Sequence, residues 1–154
     1  SLIGTLNPER ILVAAGAIGT ARLALSHAVN YAKTRNVFNA AIGTHQGVQH
    51  PLAAAHAKLE AAWLSVLNAA SLNDREPGSK VSGDAANMAK YVAVEAAIDA
   101  GYHAMQTFGG SGFAREFHQE RWWRELQLFR LAPLTQQMTL NYIGEHVLGL
   151  PKSY

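Results

Sequence analysis

The sequence of 154 residues contains no cysteine. This absence excludes disulfide bonds, thiolate chemistry and cysteine-ligated zinc, and it is typical of proteins that work in the reducing cytoplasm. No apolar run approaches the ~18 residues that a membrane span needs, and the first residues lack the pattern of a cleavable signal. We therefore expect a cytoplasmic protein that does not enter a membrane.

The sequence also lacks blocks of Lys and Arg, and its formal net charge is only +2. Without a basic patch interleaved with aromatic residues, nucleic acid is not an expected partner. Hydrophobic residues make up 49% of the chain and charged residues 16%, so the chain can bury a substantial core. These values indicate one globular domain over residues 1–154.

Apolar residues recur at helical spacing along the chain, and no segment shows the alternation that is typical of a strand. The first helix is predicted to have Asn7 as its N-cap and Pro8 in its first turn, and to run to about Lys33. Four more helices are predicted over about 45–72, from 82 or 84 to 106, over 118–131 and over 135–148. This pattern predicts an all-α fold, an up-and-down four-helix bundle with an additional C-terminal helix.

Two details of the prediction concern packing. Gly16 and Gly19 lower the helix propensity inside the first helix, which indicates a closely packed neighbour on that side. The residues of the third helix that are expected to face the core are Met88, Val92, Ala96 and Ala100.

The most informative segment is the glycine-rich break Gln106-Thr107-Phe108-Gly109-Gly110-Ser111-Gly112-Phe113, which ends the third helix. Glycine at such a place permits positive φ or the close approach of another group. Exposed N–H groups beside a Gln suit the phosphates or the adenine of a nucleotide-like ligand. The alternative is a helix that ends in glycine for purely local reasons.

A second candidate site is the run Arg35-Asn36-Val37-Phe38-Asn39, followed by His45-Gln46. Arg35 either binds the last carbonyls of the first helix or clamps a pyrophosphate, with Phe38 packing near an adenine. The sequence leaves both interpretations open.

Glu9 also has two interpretations. The helix dipole favours a carboxylate in the first turn. Alternatively, Glu9 is a general base, with Arg10 beside it and no other carboxylate near the glycine-rich break. The loop carboxylates Asp74, Glu76 and Asp84 are expected to be solvated.

A metal site is not predicted. His45, His50 and His56 are five and six residues apart, which does not place them on one helical face. The sequence also lacks the Glu-x-x-His pairs that di-iron bundles use.

The ordered set of motifs resembles the acyl-CoA dehydrogenase family. The motifs, in chain order, are Pro8-Glu9-Arg10, Ala14-Ala15-Gly16-Ala17-Ile18-Gly19, Tyr31-Ala32-Lys33-Thr34-Arg35-Asn36-Val37-Phe38, His45-Gln46, Leu52-Ala53, Ala89-Lys90, and the glycine-rich break followed by Arg124. The resemblance covers essentially the whole chain but only the C-terminal helical domain of the family. The chain is therefore expected to be a fragment of a longer enzyme.

The resemblance implies an FAD-dependent oxidation of acyl-CoA thioesters. In this family a carboxylate removes the α-proton, the β-hydrogen leaves as hydride to the flavin, and an electron-transfer flavoprotein accepts the electrons. Much of the contact with FAD is implied to be with the cofactor of a neighbouring subunit, which means a homodimer or homotetramer. Asn7 and Arg10 fall where the family contacts the CoA ester. The implied FAD-binding residues are Arg35, Phe38, His45, Gln46, Gln106, Gly109, Gly110, Thr135 and Gln137.

The resemblance implies that Glu9 is the catalytic base, with Arg10 beside it. Most family members carry this Glu in a Tyr-Glu-Gly-Thr segment after the fourth helix, where this chain has Ala132-Pro133-Leu134-Thr135. A minority, including long-chain and isovaleryl enzymes, carry it on the first helix of this domain. Pro133 also lacks the main-chain N–H through which family members polarise the thioester carbonyl. Asn39 replaces the usual Gly after Phe38 and tolerates similar backbone angles.

Two alternatives stay open. One is a flavin-dependent monooxygenase or oxidase of the same superfamily, which needs no α-proton base. The other is a non-catalytic subunit of a hetero-oligomeric dehydrogenase, an alternative that Pro133 favours. As an isolated domain, the acyl-CoA dehydrogenase fragment is expected to be inactive, because the flavin lacks the wall that the family's β-domain supplies.

Overall fold

A computed structural model describes residues 6–153, which are almost entirely helical. The helices are α1 Asn7–Thr34, α2 Gln46–Arg75, α3 Lys80–Phe108, α4 Gln119–Leu131 and α5 Gln136–Tyr142, and a π-helical turn over Ile143–Val147 continues α5. Short 3₁₀ turns cover Ile42–Thr44, Gly109–Phe113 and Arg115–Phe117. The predicted all-α bundle with an additional C-terminal helix is confirmed.

Two contacts define the directions of the long helices. Near the end of α1, the ring of Tyr31 stacks on Phe108 at the end of α3, with centroids 4.2 Å apart. Near the start of both helices, a Cβ at Gly83 would lie 3.7 Å from Nδ2 of Asn7. α1 and α3 are therefore parallel, and α2 runs antiparallel to both because the segments that join it to them are short.

Alanine dominates the core that α1, α2 and α3 share. Ala14, Ala17 and Ala21 of α1 are completely buried, as are several alanines of α3. Small side chains let helices approach closely. α3 and α4 also approach closely, since a Cβ added at Gly101 would lie 2.5 Å from Cδ1 of Leu126.

By length and composition alone, α1 could cross a membrane, since an 18-residue window has a mean hydropathy of 1.4. The central helix of a globular bundle passes the same test. Because Ala14, Ile18 and Ala21 are fully enclosed by the rest of the bundle, α1 is such a core helix.

The predicted buried face of α3 is partly wrong. Met88 and Val92 are 41% and 38% exposed, whereas Ala96 and Ala100 are buried as predicted. Besides these two alanines, the inward face of the helix includes Ala86, Ala89, Lys90, Ala93, Ala97 and Ala104. The prediction placed the bulky Met88 and Val92 in the core, but alanines occupy most of the core positions of this helix.

The neighbour predicted beside the glycines of α1 is present at only one of them. A Cβ at Gly16 would lie 3.8 Å from the ring of Phe129 on α4. At Gly19, a Cβ would meet nothing within 4 Å among the described residues.

A small β-hairpin joins α1 to α2, and the sequence does not predict it. Strand β1, Asn36–Val37, pairs antiparallel with strand β2, Ala40–Ala41. Phe38 and Asn39 between them have φ of 52° and 63°, the positive values that tight hairpin turns require. Each strand has two residues, too few to show the alternation on which a strand prediction depends.

Candidate functional site

One end of the bundle carries the β-hairpin, the start of α2 and the 3₁₀ turn that follows α3; we call it the hairpin end. At the tip of the hairpin, Phe38 is 91% exposed. Arg35 directly precedes the hairpin and is also exposed. The last carbonyls of α1 accept hydrogen bonds from the Arg35 N–H and the Thr34 hydroxyl. The Arg35 guanidinium is therefore not needed to close the helix.

His45 and Gln46 begin α2 at the same end. Both side chains are exposed. The backbone carbonyl of His45 accepts from the N–H groups of Val48 and Gln49, each at 2.9 Å, so the first turn of the helix is fixed by its backbone. The two side chains are left facing outward beside the hairpin.

The glycine-rich break is an exposed turn, as its sequence predicts. α3 ends at Phe108, and Gly109 takes φ 56° and ψ −137°, which L side chains rarely adopt. A Cβ at Gly110 would meet nothing within 4 Å among the described residues. Gln106, in the last turn of α3, is also exposed.

An aromatic cluster joins these parts of the hairpin end. Tyr31 of α1 and Phe108 of α3 are stacked, and Phe117 lies 6.2 Å from the first ring and 5.3 Å from the second, centroid to centroid. The cluster holds the hairpin and the glycine turn next to each other. Seven of the predicted cofactor-binding residues therefore lie at one end of the bundle: Arg35, Phe38, His45, Gln46, Gln106, Gly109 and Gly110.

The opposite end carries the start of α1 and the segment 132–135 that joins α4 to α5; we call that segment the connector and this end the connector end. Asn7 and Arg10 are both 3% exposed, and Nη1 of Arg10 donates to Oδ1 of Asn7 at 2.9 Å. The prediction of Asn7 as the N-cap is wrong, since Leu6 occupies that position and the Asn7 side chain binds Arg10 instead. Burial lowers the pKa of Arg10, while Tyr142 and Glu9 act against the shift.

Glu9 is exposed in the first turn of α1. The expectation that it lies near the glycine-rich break is wrong. α1 and α3 are parallel, so the start of one and the end of the other are separated by the length of the bundle. The 25 residue steps from Glu9 to Thr34 span roughly 38 Å of helix. Within one chain, Glu9 and the glycine turn belong to two different sites.

A partly buried polar group lies near Arg10. The Tyr142 hydroxyl donates to Oδ1 of Asp84 at 3.0 Å, and Nζ of Lys80 donates to Oδ2 of the same carboxylate at 2.6 Å. Burial, followed by the bond to Asp84, raises the pKa of Tyr142 to about 12. Asp84, predicted to be solvated, therefore holds α5 against the start of α3. Asp74 and Glu76 are exposed as predicted.

The connector contains a cis bond between Ala132 and Pro133. Thr135 ends it as the N-cap of α5, where its hydroxyl oxygen accepts from the N–H of Met138 at 3.2 Å. Gln137, in the first turn of α5, is exposed. Thr135 and Gln137, the two predicted flavin contacts outside the hairpin end, thus lie at the connector end with Asn7 and Glu9.

The sequence offers Lys90 only as part of the Ala89-Lys90 motif and assigns it no role at the connector end. Lys90 is completely buried, and its Nζ donates to the Leu134 carbonyl and to Oε1 of Gln136, both at 2.8 Å. Burial lowers the pKa of Lys90 to about 8; Glu95 acts against the shift and Arg10 adds to it. The signal in the sequence is a single lysine on the alanine face of α3.

Metal-ligating side chains are not clustered in the part of the chain that the structure describes: no three His, Asp or Glu residues of 6–153 could hold one ion. The chemistry that the two ends offer is instead that of exposed aromatic, guanidinium, amide and carboxylate groups.

Comparison with known proteins identifies the family. The family model of the acyl-CoA dehydrogenase C-terminal domain matches residues 1–148. An acyl-CoA dehydrogenase of Mycobacterium tuberculosis, FadE12, is 44% identical over 153 residues, which are 99% of this chain and 39% of that protein. This chain belongs to the acyl-CoA dehydrogenase family and corresponds to its C-terminal helical domain.

Solved structures agree with this assignment. The structure of the complex of glutaryl-coenzyme A dehydrogenase with glutaryl-CoA matches with a TM-score of 0.91 and 30% identity, over 99% of this chain and 38% of that one. A structure described as the electron transferring flavoprotein of Acidaminococcus fermentans matches with a TM-score of 0.89 and 34% identity, over 96% and 38%. The chain thus spans about two fifths of the length of the proteins that it matches.

Proposed function

We propose that this chain is the helical part of an FAD-dependent acyl-CoA dehydrogenase in which Glu9 accepts the α-proton of an acyl-CoA thioester. The observation that carries the proposal is the position of Glu9. Its carboxylate is exposed at the connector end, and Glu9 directly precedes Arg10, whose buried guanidinium it influences electrostatically. Since the chain spans 39% of a relative, the remaining walls of the catalytic centre are proposed to come from other parts of a longer protein.

The residues of the hairpin end fit the adenosine diphosphate half of FAD. The exposed Arg35 offers a planar fork of donors that suits a diphosphate. Phe38 presents nearly its whole ring, on which an adenine stacks. The open backbone at Gly109 and Gly110 lets a ligand approach closely.

The separation of the two ends supports a shared site. A cofactor held at the hairpin end lies roughly 38 Å of helix away from Glu9 of the same chain. It therefore serves the connector end of a second copy, and the protein is proposed to be a homodimer or homotetramer. In this arrangement, Thr135 and Gln137 of one subunit face a cofactor whose other half is held by the neighbour.

The residues of the connector end have distinct roles in the proposed reaction. Glu9 takes the α-proton, which leaves negative charge on the thioester. Asn7 fixes the Arg10 guanidinium through a 2.9 Å bond, so a positive charge stands in place before the reaction and stabilises that negative charge. FAD, when bound, supplies the acceptor for the β-hydrogen, which leaves as hydride.

The proposal includes the partners of the reaction. The substrate is an acyl-CoA, and the final electron acceptor is an electron-transfer flavoprotein, in keeping with the relative whose structure carries that description. Alone, the 154-residue chain is expected to be inactive, because Glu9 and the exposed side chains of the connector end need groups from outside the chain to enclose the substrate.

Pro133 favours a second candidate function. It has no N–H to offer a thioester carbonyl, and loss of one such donor costs about 2.7–4 kcal/mol in other enzymes. A non-catalytic subunit that contributes only FAD-binding surface to a hetero-oligomer has no need of that donor.

A monooxygenase or oxidase of the same superfamily is the other alternative, and its reaction has no need of Glu9 as a base.

One pair of variants of the full-length protein tests these functions. Glu9→Gln keeps the shape of the side chain and removes the base, so turnover of acyl-CoA is expected to fall by roughly 100-fold or more while FAD content stays the same. The matched control is Glu125→Gln, which removes an exposed carboxylate on α4 that lies 3.9 Å from Arg121, and it is expected to leave turnover unchanged.

Three other results would each point elsewhere. Turnover of Glu9→Gln near the wild-type rate would reject Glu9 as the base. Oxygen-dependent turnover without desaturation of the acyl chain would favour the monooxygenase or oxidase. Flavin absorbance that appears only with a co-expressed partner would favour the non-catalytic subunit.

A further inference from the structure

Lys90 is the largest side chain that the described residues bury completely. It projects from the middle of α3, and its neighbours on the same helical face are alanines such as Ala86 and Ala93. Removing an ammonium group from water is costly even when it is hydrogen-bonded. A methionine would fill the same space without that cost, so stability alone does not account for a lysine at this position.

Both acceptors of Lys90 belong to one short stretch of chain. The Leu134 carbonyl lies within the connector, and Oε1 of Gln136 lies one residue beyond its end; each is 2.8 Å from Nζ. Lys90 therefore bonds to the connector from the core side. Pro133, within the connector, and Gln137, two residues beyond its end, are exposed and available to a ligand.

Gln136 extends the arrangement to a carboxylate. Its Nε2 donates to Oε1 of Glu95 at 3.0 Å, and Arg130 donates to both oxygens of Glu95 at 3.0 and 2.9 Å. The Gln136 amide thus has its oxygen toward the ammonium and its nitrogen toward the carboxylate. The amide is fixed from both sides, and it connects α3 with the end of α4 and the start of α5.

We propose that Lys90 is a positioning residue that sets the placement of the connector, and with it Thr135, against the bound flavin and thioester. This inference rests on the proposed function. A buried ionic group retained for one defined conformation, at a cost in stability, is a known use of such groups. The connector is where accurate placement matters, because a shift of about 1 Å in a reacting group can lower a rate roughly 100-fold.

The first test needs neither cofactor nor turnover. In Lys90→Met, amide hydrogen exchange of residues 136–139 is expected to be at least about 10-fold faster than in the wild type, with exchange in α1 and α2 unchanged. The thermal midpoint is expected to stay the same or to rise, because the costly buried charge is gone. The control Lys58→Met removes an exposed lysine that pairs with Asp99 at 2.9 Å, and it is expected to leave residues 136–139 unchanged.

The second test uses the full-length, flavin-loaded protein. Lys90→Met is expected to lower kcat between about 10- and 100-fold, with KM changed less than about threefold and flavin content unchanged. Gln136→Met keeps the bond to the Leu134 carbonyl, so its kcat is expected to fall less than in Lys90→Met. Lys58→Met is expected to keep the wild-type kcat.

Two outcomes would overturn the inference. One is a folded, flavin-loaded Lys90→Met protein with the wild-type kcat and unchanged exchange in 136–139. The other is a parallel loss of thermal midpoint and flavin content in both Lys90→Met and Gln136→Met, which would make the network purely structural. A wild-type protein that binds no flavin and turns over no acyl-CoA would instead count against the proposed function, while the exchange experiment would still decide the role of Lys90.

Discussion

Tyr31 and Phe108 stack with an interplanar angle of 20° and join the last turn of α1 to the last residue of α3. Arg35 follows the first ring by one helical turn, and Gly109 directly follows the second. The stack therefore sets the distance between the guanidinium and the glycine turn, the two parts of the proposed FAD-binding surface at the hairpin end.

Tyr31→Ala is expected to weaken this end of the bundle. Loss of a half-buried ring and of its stacking partner should lower the free energy of unfolding by about 2–3 kcal/mol. Tyr102→Ala is the control, because Tyr102 is 47% exposed, and it should cost less than about 1 kcal/mol. Urea denaturation measures both; equal losses in the two variants would show that the stack does not stabilise the hairpin end.

Gly101→Ala is expected to destabilise the packing of α4 on α3. The new Cβ would lie 2.5 Å from Cδ1 of the fully buried Leu126, so the cost should be about 1–3 kcal/mol. Gly19→Ala makes the same change where nothing described lies within 4 Å. It should raise stability by about 0.5–1 kcal/mol through helix propensity. Thermal denaturation compares the two variants, and a stabilising Gly101→Ala would contradict the close approach of α3 and α4.

Asn39 occupies a position with φ of 63°, where β-branched residues are strained. Asn39→Val is expected to cost about 1–2 kcal/mol, because the left-handed conformation brings its Cβ against the backbone. Asn39→Gly should stay within about 0.5 kcal/mol of the wild type, since glycine adopts this backbone freely. Chemical denaturation of both variants tests the hairpin turn. An Asn39→Val protein with the free energy of unfolding of the wild type would contradict the left-handed conformation at this position.

The buried ammonium of Lys90 should make stability depend on pH in the alkaline range. Its pKa is about 8 in the folded chain against an ordinary value of 10.5. Between these values the unfolded chain binds more protons than the folded one, so the free energy of unfolding should rise with pH.

The expected rise is on the order of 2–3 kcal/mol between about pH 8 and pH 10. Above pH 10 the raised pKa of Tyr142 acts in the opposite direction, so the comparison stops there. Urea denaturation of the wild type and of Lys90→Met, at several pH values, isolates the effect of this one group. If the difference in the free energy of unfolding between the two proteins stays constant from about pH 8 to about pH 10, the lowered pKa of Lys90 is contradicted.

The sequence predicts the helices of this fold well because their signals are local. Pro133 ends α4 close to the predicted residue, and helical spacing gives α1, α2 and α4 nearly their full extent. The predictions that are wrong concern features that depend on contacts between distant residues. Asn7 has the chemistry of an N-cap, yet its side chain binds Arg10; Met88 and Val92 are apolar, yet α3 buries its alanines instead.

The candidate site divides in the same way. The resemblance collects the residues of both ends in one list, and only the parallel course of α1 and α3 shows that Glu9 and Gly109 belong to different sites. Lys90 is visible in the sequence, but its acceptors lie 44 and 46 residues further along the chain. The periodicity of apolar residues carries no information on such a pairing. The hydrogen bonds from Lys90 to the connector are therefore visible only in the folded chain.

Exchange of the substrate's α-proton with solvent shows whether Glu9 is the proposed base. The full-length, flavin-loaded protein is incubated in deuterated water with an acyl-CoA whose β-hydrogen cannot leave, and deuterium at the α-carbon is followed by mass spectrometry. The wild type is expected to incorporate deuterium, and Glu9→Gln to incorporate it roughly 100-fold more slowly or not at all. Equal incorporation by the two proteins would contradict the role of Glu9 as the α-proton base.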